Sequence, residues 1–158
     1  MKINKSSRHS KITGDFSENL VLYWLSKYGF ECAHVDHVGI DLIARNPKTQ
    51  ELMGISVKSR SRDENTVGEY LSLPASNFEK IDFACEQFGC APYFAFVVDE
   101  GTKIHCFITS KRHFLELYEP SKKTGDSGWK MSTKALQRYA TDPKVKYFCF
   151  EHETKSWW

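Results

Sequence analysis

Apolar and polar positions along the chain change period in blocks, and the blocks predict alternating helices and strands. Over residues 15–28 the apolar residues return at helical spacing. With successive residues about 100° apart, Trp24, Tyr28, Val21, Leu25 and Leu22 fill one broad arc. Gly29 then stands where a helix closes on a left-handed residue. Residues 30–35 alternate loosely, as a strand would. Residues 39–45 and 52–59 alternate more clearly and are joined by a segment whose Asn46-Pro47 marks a turn. Residues 70–73 continue that strand or add a short one. Pro74 opens a helix over 75–88 that stops at Gly89. Residues 93–98 are apolar throughout, which suits a strand buried on both faces, with 103–108 as its hairpin partner. Helices are predicted over 110–118 and 132–140, with a surface loop at 121–130 between them and a last strand at 147–150. This order predicts an α/β domain layered around a mixed sheet.

The same pattern places chemistry. If the first hairpin turns over residues 46–51, Asp41 lies opposite Ser56 and Lys58 is one step along on the same face. A carboxylate, a hydroxyl and an ammonium then converge on a patch flanked by apolar residues. Glu18 falls in the middle of the apolar arc of the first helix, where an ionised carboxylate is costly unless a cation or Lys58 compensates it. A second reading fits Glu18 as well, because Asp15-Phe16-Ser17-Glu18 has the spacing of a capping box. The alternative for Asp41 and Lys58 is a cross-strand ion pair that ties two strands together.

Composition narrows the picture. The 158 residues suit one domain, and 41% hydrophobic with 14% aromatic residues can build a core. Residues 1–12 are polar and basic and read as a flexible arm. The domain then runs over 13–158, with 13–98 carrying the motifs and 99–158 extending it. No apolar stretch reaches the roughly eighteen residues of a membrane helix, and the N-terminus lacks the apolar segment of a signal peptide, so a cytoplasmic location is expected. Five cysteines with no short-range framework fit buried thiols better than disulfides or zinc. The net charge is only +2, so overall charge does not mark a nucleic-acid binder. Local clusters say more: Lys2, Lys5, Arg8, His9 and Lys11 crowd the N-terminus, and Lys58, Arg60 and Arg62 occupy alternate positions. Arg60 and Arg62 are the phosphate-contact candidates. Trp129, Trp157 and Trp158 could stack on bases, although core packing is the commoner fate of tryptophan.

Glu18 in a first helix, Gly39-Ile40-Asp41-Leu42-Ile43-Ala44, and Ile55-Ser56-Val57-Lys58 together resemble the PD-(D/E)XK, or restriction-endonuclease-like, nuclease superfamily. They are most similar there to archaeal-type Holliday junction resolvases. Those proteins carry a helical Glu, a DIIA-like strand and an EVK-like strand. The segment 74–98 is similar to the helix and apolar strand that follow, so the resemblance spans residues 14–98. It implies a three-layer α/β fold with a central mixed sheet, and metal-dependent hydrolysis of DNA phosphodiesters by activated water. Mg²⁺ or Mn²⁺ would be held by Asp41, Glu18 and the Val57 carbonyl, with Lys58 as the catalytic lysine. Double-stranded or branched DNA would be the substrate, and a homodimer would suit cutting two strands. The departure is Ser56, where the family carries Glu or Gln. Three arrangements are compatible with it. Another acid (Glu51, Glu64 or Glu69) reaches the site; or Asp41, Glu18, Val57 and water suffice; or the fold binds nucleic acid or a protein partner without cutting.

Overall fold

The computed structural model describes residues 4–62, 70–153 and 155. Its elements in chain order are α1 (His9–Lys27), β1 (Glu31–His37), β2 (Ile40–Arg45), β3 (Leu52–Ser61), β4 (Tyr70–Leu73), α2 (Ala75–Phe88), β5 (Ala91–Asp99), β6 (Lys103–Ser110), α3 (Lys111–Leu117), β7 (Ser127–Lys130), α4 (Thr133–Thr141) and β8 (Lys146–Glu151). Six strands form one sheet in the order β1-β2-β3-β5-β6-β8. It is mixed: β3 and β5 run parallel, and the other neighbours are antiparallel. None of the described helices is long and apolar enough to cross a membrane.

Helices cover both faces of the mixed sheet that the pattern predicts, which gives the three layers that the resemblance implies. On one face α1 presents Val21 and Leu25 to Leu42, Ala44, Ile55, Ala95 and Cys106. On the other, α2, α3 and α4 bring Phe78, Ile81, Phe114, Leu136 and Tyr139 onto Phe94, Phe96 and Phe107. Residues Phe94–Val98 of β5 are buried, as a strand covered on both faces must be. The C-terminal extension therefore completes the sheet with β6 and β8 and roofs one face with α3 and α4.

Local signals explain most boundaries. Pro74 precedes α2, and Gly89 closes it in the left-handed conformation at φ 62°. The Cys90 N–H then donates back to the Cys85 carbonyl at 2.9 Å. Both thiols meet under Gly54, whose missing side chain leaves room for the two sulfurs. Ser110 and Ser132 cap α3 and α4 by accepting from the His113 and Ala135 N–H groups.

Two expectations are corrected. Helix α1 begins at His9, not near residue 15, so His9–Ile12 of the expected arm are helical. Asp15 is then in the helix interior and Glu18 cannot serve as the reciprocal half of a capping box. The second correction concerns 121–130: its last residues form β7, which pairs with β4 from Tyr70↔Lys130 to Leu73↔Ser127. The reason is Trp129, fully buried and stacked on Phe96 (centroids 4.3 Å apart) and Tyr139 (3.8 Å). One buried indole outweighs the polar, Gly-rich composition around it. Trp129 is thereby excluded from base stacking, while Trp157 and Trp158 lie outside the described residues.

The roof is also fastened electrostatically. His113 Nδ1 lies 3.1 Å from Glu116 Oε2 and its Nε2 lies 2.7 Å from Asp142 Oδ2, joining α3 to the end of α4. Hydrogen bonds from His113 and then Lys144 hold the Glu116 carboxyl at about 2, below its ordinary 4.5. A lowered carboxylate stabilises the fold above its unfolded value, and the contribution disappears as pH falls through the folded one. Urea unfolding of wild type and Glu116→Gln is therefore expected to differ most above about pH 5 and to converge by about pH 2.

Candidate active site

The site forms where β2 and β3 part. Their pairing runs from Arg45↔Leu52 to Leu42↔Ile55 and goes no further, so Asp41 and Ser56 stand at the mouth of the fork. There the Asp41 side chain takes the place of a ladder partner: its Oδ2 accepts from the Val57 N–H at 2.6 Å. The N–H and C=O of one strand residue point the same way, so the Val57 carbonyl also faces the Asp41 side. Gly39 makes this approach possible. Its φ is +109°, and a Cβ there would lie 2.2 Å from the Lys80 carbonyl oxygen, so the β1–β2 hairpin rests directly on the α2 backbone.

From the other face α1 supplies Glu18. Burial, and next the negative charge of Asp41, raise its carboxyl above the ordinary value, while His34 acts in the opposite sense. The negative charge beside the Glu18 carboxyl is part of a field that a divalent cation would relieve. His34 Nδ1 stands 3.7 Å from Glu18 Oε2, and its Nε2 lies 3.3 Å from Asn19 Oδ1. The sequence pattern did not single out His34 or Asn19. The signal was the β1–β2 register, which sets His34 against Leu42, beside Asp41.

Lys58 is half-buried two residues beyond Ser56, which is 4% exposed. Asp41 bonds the Val57 amide and forms no ion pair with Lys58, so the cross-strand tie is not what the structure contains. The basic residues divide. Arg60 is exposed and lines a small cavity with His9, Phe16 and Ser17 of α1. Lys5 reaches the Ser61 carbonyl at 3.0 Å, which brings the N-terminal residues alongside the end of β3. Arg62 instead pairs with Glu100, with a side chain only 9% exposed, so it is turned into the fold and not toward a phosphate.

Glu51 does not reach the site. It sits before the opposite end of β3, where its Oε1 accepts from the Tyr93 hydroxyl at 2.6 Å. Glu64 and Glu69 lie outside the described residues. His37 packs its ring against Phe83 and Phe88. Among the described residues no three His, Cys, Asp or Glu side chains cluster as a metal site. The donors at the fork are two carboxylates and one carbonyl. That set fits a hard cation such as Mg²⁺, which takes oxygen ligands and keeps several waters, but with one negative charge fewer than an acid at position 56 would give.

No protein-family model and no curated protein matches the chain. Among solved structures it is similar to a Holliday junction resolvase from Archaeoglobus fulgidus, an archaeal hyperthermophile. The two are 18% identical with a TM-score of 0.55, over 79% of this chain and 88% of the other. The likeness is one of fold: a nuclease-like mixed sheet flanked by helices.

Proposed function

We propose that this chain is a PD-(D/E)XK-type, divalent-metal-dependent endonuclease that hydrolyses DNA phosphodiester bonds, with branched or double-stranded DNA as substrate. The observation that carries the reading is the forked β2–β3 pair. It holds the Asp41 carboxylate on the Val57 amide, within the electrostatic reach of Glu18, while Lys58 follows on β3 without an ion pair to Asp41. The fold shared with a Holliday junction resolvase supports the substrate class.

Asp41, Glu18 and the Val57 carbonyl would hold Mg²⁺ or Mn²⁺. The bound ion would supply Lewis-acid stabilisation of the phosphorane-like transition state and a more acidic water. Lys58 places an ammonium beside the scissile phosphate, where it offsets developing charge and orients the attacking water. Asp41 keeps its orientation through the Val57 N–H, so the carboxylate is preorganised before substrate arrives. Ser56 contributes a neutral hydroxyl to the same strand face. Arg60 and the neighbouring N-terminal basic residues are the phosphate contacts, and Arg62 acts through the fold.

The second reading is a member of the same fold that binds nucleic acid without cutting. Ser56 and the two-carboxylate donor set favour it. Metal binding separates the two. Calorimetric titration with Mn²⁺ is expected to show a site in the wild type whose affinity falls by roughly tenfold or more in Asp41→Asn, the size of loss typical when a ligand environment is disrupted. Equal, negligible heats in both proteins would favour the non-cutting reading.

A further inference from the structure

The turn that closes α2 brings two thiols together. Gly89 takes the left-handed conformation, and the chain doubles back so that the Cys90 N–H bonds the Cys85 carbonyl at 2.9 Å. An amide–carbonyl bond of that length holds the two Cα atoms within the roughly 7 Å that a disulfide bridges. Their side chains turn the same way. A Cβ on Gly54 would stand 2.6 Å from the Cys90 sulfur and 2.7 Å from the Cys85 sulfur. Both thiols therefore share one space beneath β3, which exists because residue 54 has no side chain.

The two are not equivalent. Cys85 is 4% exposed, and burial, then its hydrogen bond with the Cys90 side chain, push its thiol up to about 12. Cys90 is half-buried, just before β5 begins, and meets solvent. A reagent from solution reaches Cys90 first, with Cys85 behind it as the second sulfur. The other cysteines are engaged elsewhere. Cys32 gives its S–H to the Leu22 carbonyl, Cys149 gives its own to the Phe150 carbonyl, and Cys106 is fully buried on the α1 side of the sheet.

We propose that Cys85 and Cys90 form a redox-active dithiol, oxidised to a disulfide by a hydroperoxide and returned to two thiols by a thiol reductant. The Cys90 sulfur, as thiolate, attacks one peroxide oxygen. An S–O bond forms, the O–O bond breaks, and the other oxygen takes up a proton and leaves as an alcohol, or as water from hydrogen peroxide. The Cys85 sulfur then attacks the sulfur of this sulfenic acid. The S–S bond forms, the S–O bond breaks, and the departing hydroxide leaves as water with the Cys85 proton. Two thiols have lost two electrons, and one peroxide has been reduced. Cys85 suits the second step because it arrives protonated and already beside its target. The new bond closes a loop across Gly89 and ties the end of α2 to the start of β5 beneath Gly54. Thiol–disulfide exchange reverses it. The pair stands independently of the nuclease assignment.

Mass spectrometry on the full chain tests the pair. The reduced protein is treated with hydrogen peroxide, quenched in acid, then unfolded and alkylated with iodoacetamide. Trypsin releases both cysteines on one peptide, residues 81–103. That peptide is expected two hydrogens lighter and without alkylation, while Cys32, Cys106 and Cys149 are alkylated. Dithiothreitol before alkylation is expected to restore both thiols. Cys85→Ser is expected to stop at a Cys90 sulfenic acid that dimedone captures, and Cys90→Ser to leave Cys85 oxidised at least about tenfold more slowly. Should either variant fail to fold, the wild-type peptide decides alone. A peptide 81–103 still alkylated on both cysteines after peroxide overturns the proposal. So does oxidation spread evenly over all five cysteines, or Cys90 carried to a sulfinic acid with Cys85 left free.

Discussion

Replacing Lys58 by alanine is expected to lower metal-supported DNA cleavage on the order of 10³-fold while leaving Mn²⁺ affinity within about twofold of the wild type. Lys58 has no ion pair with Asp41, whose oxygen is occupied by the Val57 amide, so truncating it leaves the carboxylate where it was. Its role in the proposed reaction is confined to the phosphate and the attacking water. Asp41→Asn separates the two functions in the other direction. It retains an oxygen for the Val57 N–H but removes the charge, so both Mn²⁺ affinity and cleavage are expected to fall. Without metal, Asp41→Asn should melt no lower than the wild type, because burial and the Asp41 charge are what raise the Glu18 carboxyl. Thermal melts and cleavage rates on the same preparations check both variants. A Lys58→Ala protein that cuts at the wild-type rate would remove the lysine from the mechanism.

The second large effect is structural and lies two residues before Asp41. Gly39→Ala is expected to destabilise the fold by about 3 kcal/mol or more, which lowers the melting temperature by roughly 6–12 °C in a domain of this size. Two causes add. At φ +109° a non-glycine residue is strained, and the new Cβ would lie 2.2 Å from the Lys80 carbonyl oxygen and 2.6 Å from its carbon, both backbone atoms that cannot rotate away. The hairpin must lift off α2, and Asp41 moves with it. Cleavage should therefore fall even below the melting transition. A melting temperature within about 2 °C of the wild type would show that the hairpin does not bear on α2 as described.

The fold was legible where one residue type decided a boundary. Pro74 and Gly89 bracket α2, and the unbroken apolar run of β5 announced a strand covered on both sides. The site was legible through strand register, since counting back from the hairpin turn sets Asp41 against Ser56. The pattern could not show that pairing stops one step earlier, because that depends on the Asp41 side chain capturing the Val57 amide across strands. Glu18 was ambiguous between a cap and a site because its spacing satisfied both. Only the earlier start of α1 at His9 removes the cap. Arg60 and Arg62 looked equivalent on alternation alone. What separates them is Glu100, distant in sequence and brought beside Arg62 by the parallel β3–β5 pair. The β4–β7 ribbon was hidden because a strand of four residues in a polar, Gly-rich stretch carries too little periodicity to register.

The most direct test of the central claim is cleavage of labelled four-way-junction, supercoiled and linear DNA by the wild-type chain, with Mg²⁺, with Mn²⁺ and with excess chelator. The account predicts metal-dependent phosphodiester cutting that chelator abolishes. A well-folded wild type that binds these DNAs but cuts none of them with either metal would contradict it.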